Sequence, residues 1–246
     1  MNNHDASNKV LPLNNDKSII DEGDFIVRST PTLPVKIAAK QSKFIDTEVV
    51  AGKYYNGFNF LKLPKEYRRL QLAFGITSPG RGEGKTLVAA NMAASLALAY
   101  ERKTVLIDLN FISPQLHKVF GADQSPGVIE ALWGGGINLT QTKIEKLFIL
   151  PSGNLATYQP GIDDITALRK IITTLKQDFD FIIVDMNSVF PVHQYPVLFS
   201  SEMDGLFAVV DTQATKKEDI DRIFRHIEED QVIGYIFNKV DKANTY

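Results

Sequence analysis

The chain has 246 residues, 44% of them hydrophobic and 23% charged, which suits one good-sized core and a single α/β domain with a tail. A formal net charge of −2 with no Lys/Arg block gives no footing to a nucleic-acid partner, and the lack of cysteine excludes a disulfide scaffold and fits a reducing cytoplasm. The four scattered histidines (His4, His117, His193, His226) do not make a zinc site, no apolar run is long enough to span a bilayer, and the polar start "MNNHDASNK" is no signal peptide, so a membrane role needs a partner.

Residues 1–24 are rich in Asn, Asp and Lys without an apolar period and read as a disordered tail. Residues 25–63 carry short apolar patches broken by Pro31, Pro34, Gly52 and Gly57, and read as an extended arm packing on the domain or on a partner. The domain proper is residues 64–246. It begins with "PKEYRRLQ" (Pro64 to Gln71), which has proline at a helix start and predicts a short helix.

From Leu72 the chain alternates. Apolar runs at 72–77, 104–109, 146–151, 181–186, 205–210 and 232–238 predict strands covered on both faces. Helical patterns lie between them, at Lys85–Tyr100, Val128–Trp133, Asp164–Gln177 and Lys216–Glu229. This order predicts a mostly parallel sheet with helices on both faces, whose ligands sit beyond the carboxyl ends of the strands.

The first of those strands runs into "SPGRGEGKT" and then directly into a helix. Gly80, Gly82 and Gly84 let the backbone curl so that N–H groups face phosphate oxygens, and the helix N-terminus adds partial positive charge. Lys85 can reach the β- and γ-phosphates, and the Thr86 hydroxyl can ligate Mg²⁺. The pattern G-x-x-x-x-G-K-[ST] is not met in full, because position 79 is Pro. Two strands end in acids, Asp108 in "TVLIDLN" and Asp185 in "FIIVDM", and the last strand ends in Asn238-Lys239-Val240-Asp241. Those four residues spell the guanine-reading N-K-x-D, but a GTPase needs a further strand and loop, and only Lys242 to Tyr246 follow.

"TSPGRGEGKTLVAANMAASLA" resembles the Walker A segment of the bacterial tyrosine kinases (BY-kinases), of the CpsD/CapB-like kind that act in capsule and exopolysaccharide synthesis, within the ParA/MinD-like P-loop ATPases. That family has no glycine where Pro79 stands, and this chain supplies Thr77, Ser78, Gly82, Glu83, Gly84, Lys85 and Thr86 of its loop. The ParA/MinD proteins proper carry a second lysine at the position of Gly80, which favours the kinase branch. The resemblance, over about residues 64–240, implies a P-loop NTPase fold with ATP and Mg²⁺ as ligands. The nucleotide would be held by Gly80, Gly82, Glu83, Gly84, Lys85 and Thr86, with Asn238 reading adenine. The metal would be held by Thr86, Asp108 and Asp185, with Lys85 and Asp108 as catalytic residues and Asp108 as base towards a tyrosine hydroxyl.

The chain also departs from that family. Asn110 replaces the second acid of the segment after Asp108, and Ile112 replaces an arginine; an amide can bind a metal-held water but is no base. Met186-Asn187-Ser188 replace Thr-Pro-Pro after Asp185, while "PQLHKVFG" (Pro114 to Gly121) keeps the family pattern with His117 structural. One terminal tyrosine, Tyr246, stands in place of a tyrosine cluster. The ring-packing helix keeps Arg68 but has Lys65 and Gln71 for its Glu and last Arg.

Three readings follow. The first is an ATP/Mg-binding BY-kinase relative that regulates exopolysaccharide synthesis or export, with weak or lost kinase activity. The second is an active autophosphorylating tyrosine kinase, and the third a positioning ATPase of the ParA/MinD type. The partner implied is a separate membrane polysaccharide co-polymerase or export protein, which would recruit a cytoplasmic chain to the inner face of the membrane. A homo-oligomer is compatible with all three readings.

Overall fold

The computed structural model describes residues 35–39 and 71–240, apart from 157, 159–160, 162 and 192–198. The expected tail, most of the arm, the helix at 64–71 except Gln71, Asp241 and Tyr246 lie outside the described residues.

Among the described residues the sheet has eight strands. In chain order they are β1 (Val35–Ala39), β2 (Leu72–Thr77), β3 (Thr104–Leu109), β4 (Ile137–Gln141), β5 (Leu147–Leu150), β6 (Phe181–Met186), β7 (Gly205–Asp211) and β8 (Val232–Asn238). Their spatial order is β1-β4-β5-β3-β6-β2-β7-β8. Every pairing is parallel except β4 with β5. The mostly parallel α/β sheet expected from the sequence is therefore present.

Strands β2, β3, β5 and β6 are buried along their whole length, which explains their unbroken apolar runs. Their side chains divide between two cores. On one face Phe74, Ile76, Leu106, Ile149 and Ile183 pack against helix α1 (Lys85–Ala99), whose alanines 89, 90, 93 and 94 let it lie close to the sheet. On the other face Val105, Ile107, Leu150, Ile182 and Val184 meet Leu168, Ile171, Ile172 and Leu175 of a later helix, Asp163–Leu175. Between these two run the short helices α2 (Leu116–Phe120) and α3 (Val128–Leu132); the later helix is α4, and α5 is Lys217–Ile223.

Four features differ from the sequence expectation. β1 pairs with β4 and makes five residues of the arm part of the sheet edge. β4, "INLTQ", lacks the apolar density of the other strands because it is only partly covered. α5 ends at Ile223 and not at Glu229, since Glu228, Glu229 and Asp230 would set three acids at the negative end of the helix. β8 is at the end of the sheet and alternates, so that Ile233, Tyr235 and Phe237 are exposed.

Candidate functional site

The central strands β3, β6 and β2 end side by side, and the chain leaves β2 directly into the glycine-rich loop. Gly82 and Gly84 have φ of 79° and 92°, a backbone state that favours glycine. Gly84 is also the residue before α1, and a Cβ on it would lie 2.3 Å from Asn238 Nδ2. α1 starts with no side-chain cap and no acid in its first turn. Its leading N–H groups and the positive end of its dipole are therefore unneutralised by the protein, the condition for holding an anion.

Side chains from three other elements hold the loop. The Glu83 carboxylate, almost fully buried, accepts from Gly80 N at 2.6 Å, Thr215 Oγ1 at 2.9 Å and Asp211 N at 3.2 Å. Asn238 Nδ2 donates to Glu83 O at 2.8 Å. Lys239 Nζ donates to Gly82 O at 3.1 Å and to Asp211 Oδ2 at 2.6 Å, and that ammonium holds the Asp211 carboxyl below its ordinary range. Glu83, Asn238 and Lys239 thus tie the loop to the ends of β7 and β8. The structure shows the Glu83 side chain turned towards β7 and the Asn238 amide turned towards the loop backbone.

Lys85, Thr86 and Asp185 lie together beside the loop. The Thr86 hydroxyl donates to Asp185 Oδ2 at 2.6 Å, across ninety-nine residues. Lys85 is buried; desolvation lowers its pKa, and the nearby Asp185 and Glu83 charges oppose that shift. Asp185 is fully buried, and its Oδ1 has no hydrogen-bond partner. Burial and the neighbouring Asp108 charge push its carboxyl up to about 8, against the smaller effects of Thr86 and Lys85. Asp108 faces Asp185 in the β3–β6 register.

Asp108 has the partners of a capping residue. Its Oδ1 accepts from Asn110 N at 3.1 Å, and its Oδ2 from Gln115 N at 3.2 Å and Leu116 N at 3.1 Å, so it anchors the turn into α2. Burial raises its pKa to about 7 even though these three N–H groups favour the charged form.

A cavity of about 470 Å³ opens above these strand ends, lined among others by Arg81, Lys85, Thr86, Asn110, Ile112 and Asn187. Of the positions where the chain departs from the BY-kinase pattern, Asn110, Ile112, Asn187 and Ser188 line this cavity together with Lys85. Asn110 is half-buried there and Ile112 is exposed. The residues present suit Mg²⁺: no group of three or more His, Cys, Asp or Glu among the described residues forms a metal cage, while Thr86 and the orphaned Asp185 oxygen supply hard oxygen donors. Mg²⁺ is commonly held in this way, by one or two protein oxygens together with phosphates and waters.

Lys239 and Thr215, which hold the loop, and Asn187, which lines the cavity, have no sequence signal for these roles. Lys239 was visible only within N-K-x-D, and Thr215 belongs to no motif. Asn187 departs from the family pattern, and nothing in the sequence marks it as buried at the cavity.

Comparison with known proteins is consistent with this geometry. The profile of the CobQ/CobB/MinD/ParA nucleotide binding domain (CbiA) matches residues 74–246. Tyrosine-protein kinase CpsD of Streptococcus pneumoniae is 29% identical over 218 residues, covering 86% of this chain and 92% of that protein. Succinoglycan biosynthesis transport protein ExoP of Rhizobium meliloti is 31% identical over 170 residues, 65% of this chain but only 21% of that protein. Among solved structures the chimerical protein CapA2B2 superposes with a TM-score of 0.68 at 24% identity, over 85% of this chain and 96% of that one, a likeness of fold.

Proposed function

The chain belongs to the CobQ/CobB/MinD/ParA nucleotide-binding family as a divergent relative of the bacterial tyrosine kinases, and from that premise we propose that it binds ATP with Mg²⁺ and regulates exopolysaccharide synthesis or export, its tyrosine-kinase activity weak or lost. The observation that carries this reading is the contact of Thr86 with Asp185 beneath an uncapped α1, beside a cavity walled by Asn110 and Ile112. Lys85 and the loop N–H groups of Gly82, Glu83 and Gly84 would hold phosphates, and Thr86 and Asp185 the metal; the Gly80 N–H, expected from the sequence to face phosphate, is instead taken by the Glu83 carboxylate. Bound Mg²⁺ would supply neutralisation of phosphate charge. Asp108, bonded to three backbone N–H groups of the turn into α2, would support the metal-binding strand ends; the amide at position 110, which is no base, favours weak or lost kinase activity. The Asn238 amide would line the adenine side of the site while bracing the loop.

The activity of CpsD and the transport role of ExoP are properties of those proteins. By analogy with them, the partner proposed here is a separate membrane co-polymerase or export protein that recruits a cytoplasmic chain. No helix among the described residues is long and apolar enough to cross a membrane. Residues 1–24 would be a tail, 25–63 an arm and 64–246 the ATP-binding domain.

Calorimetry with Mg–ATP and Mg–GTP tests the reading. Mg–ATP is expected to bind in preference to Mg–GTP, and Lys85→Ala to abolish binding; an unmodified chain that binds neither nucleotide refutes it. Incubation with Mg–ATP followed by phosphotyrosine detection separates the regulatory reading from the active-kinase alternative: strong labelling that Lys85→Ala removes would establish the kinase.

A further inference from the structure

Asn187 is the first residue beyond β6, two after Asp185, so a continued strand pleat sets its side chain on the same side as the Asp185 carboxyl. The residue is 2% exposed, yet neither Asn187 Oδ1 nor Asn187 Nδ2 has a hydrogen-bond partner. Buried polar groups are nearly always bonded, and a carboxamide orphaned at both ends is rare. Asp185 Oδ1, two residues away, is orphaned and buried as well. Asn187 lines the same 470 Å³ cavity as Lys85, Thr86, Gly82 and Gly84.

The backbone around Asn187 is fixed to the phosphate loop. Thr77 Oγ1 donates to Asn187 O at 2.8 Å, Val189 N to Ser78 O at 2.9 Å, and Phe190 N to Pro79 O at 2.8 Å. The backbone of Asn187 is thus held at the cavity, and its buried amide has a donor and an acceptor both unused.

We propose that Asn187 contacts the terminal phosphate of the bound nucleotide and sets the preference of this site for a triphosphate over a diphosphate. The proposal rests on the nucleotide-binding reading above. Lysine and threonine at the start of a phosphate-loop helix serve the β/γ end of the nucleotide and its metal, so the part of the cavity beside Lys85 and Thr86 is the terminal-phosphate end. The Asn187 Nδ2 group donates to a γ-phosphate oxygen, and Oδ1 accepts from a water held by phosphate or metal. A diphosphate leaves both groups unpaired. A carboxamide accepts no proton at neutral pH, so Asn187 binds and positions and is not a base. Proline, which the BY-kinase pattern has here, offers no such donor.

The test compares Mg²⁺–ADP with the Mg²⁺ complex of the β,γ-imido analogue of ATP by calorimetry, for the full chain, Asn187→Ala and the isosteric Asn187→Asp. In the unmodified chain the imido analogue is expected to bind more tightly. In Asn187→Ala that preference should fall about tenfold, as for loss of one hydrogen bond to a charged group, while ADP affinity stays within about twofold. In Asn187→Asp, whose shape matches the amide, the preference should fall further because carboxylate and phosphate repel. An unchanged affinity ratio in both variants, or an equal loss for both nucleotides, overturns the proposal and leaves the nucleotide site intact. Failure of the unmodified chain to bind either nucleotide overturns the site and the proposal together.

Discussion

At the scale of single residues, the two buried acids dominate the electrostatics of the ligand-free site. Asp108 is raised to about 7 and Asp185 to about 8, both from an ordinary value of 3.8, with burial the main cause. A carboxyl whose folded pKa lies above its unfolded value binds its proton more tightly when folded. Its contribution to stability is therefore present at low pH and is lost as pH rises from about 4 through about 7 to 8. We expect the thermal midpoint of the metal-free chain, measured in EDTA, to fall between pH 5 and pH 8. Asp185→Asn should flatten that fall, because the amide carries no charge to bury. Saturating Mg–ATP should also flatten it in the unmodified chain, because a cation favours the ionised carboxyl. A midpoint rising through this range would show that these acids do not govern the pH response.

At the scale of elements, the phosphate loop is stiff because β7 and β8 hold it. Glu83 bonds back to Gly80 and across to Asp211 and Thr215, and Asn238 and Lys239 bond to the loop carbonyls. Gly84→Ala would force a Cβ to within 2.3 Å of Asn238 Nδ2 at a φ of 92°. The strained backbone is expected to cost about 1–3 kcal/mol and to weaken Mg–ATP binding together with stability, as denaturant unfolding and calorimetry would show. Lys239→Met should behave differently. It removes the ammonium bridging Gly82 and the buried Asp211 carboxyl, so nucleotide affinity should fall about fivefold, with a smaller loss of stability from Asp211 left without its cation. Equal effects on binding and stability in Lys239→Met would show that the bridge does not act specifically on the loop. The loop's residues could be read from the sequence as a run of nine letters. The bonds that hold it span up to 157 residues, and neither Glu83 nor Thr215 announces its partner in the chain order.

At the scale of the whole molecule, stability rests in the two cores and not in the sheet end. Leu106→Ala, at a fully buried position, should cost about 2–5 kcal/mol. Phe237→Ser, at a residue 63% exposed on β8, should shift stability by no more than about 0.5 kcal/mol, if the sheet end carries little of the folding energy. Urea unfolding of both variants checks the contrast, and comparable losses would mean that β8 is covered in solution.

The sequence by itself determined the alternation of strand and helix, the phosphate loop with Lys85 and Thr86, and Asp185 at a strand end. These are local: buried strands need unbroken apolar runs, and the loop needs its glycines, lysine and threonine consecutively. The tertiary structure alone decided that Thr86 meets Asp185, that Asp108 spends its oxygens on the turn into α2, and that β4 and β1 extend the sheet. It alone showed Asn187 buried with both amide groups unpaired. The physical reason is that hydrogen bonding and burial depend on which distant segments the sheet order brings together, and that order is set by packing across the two faces rather than by any run of neighbouring residues.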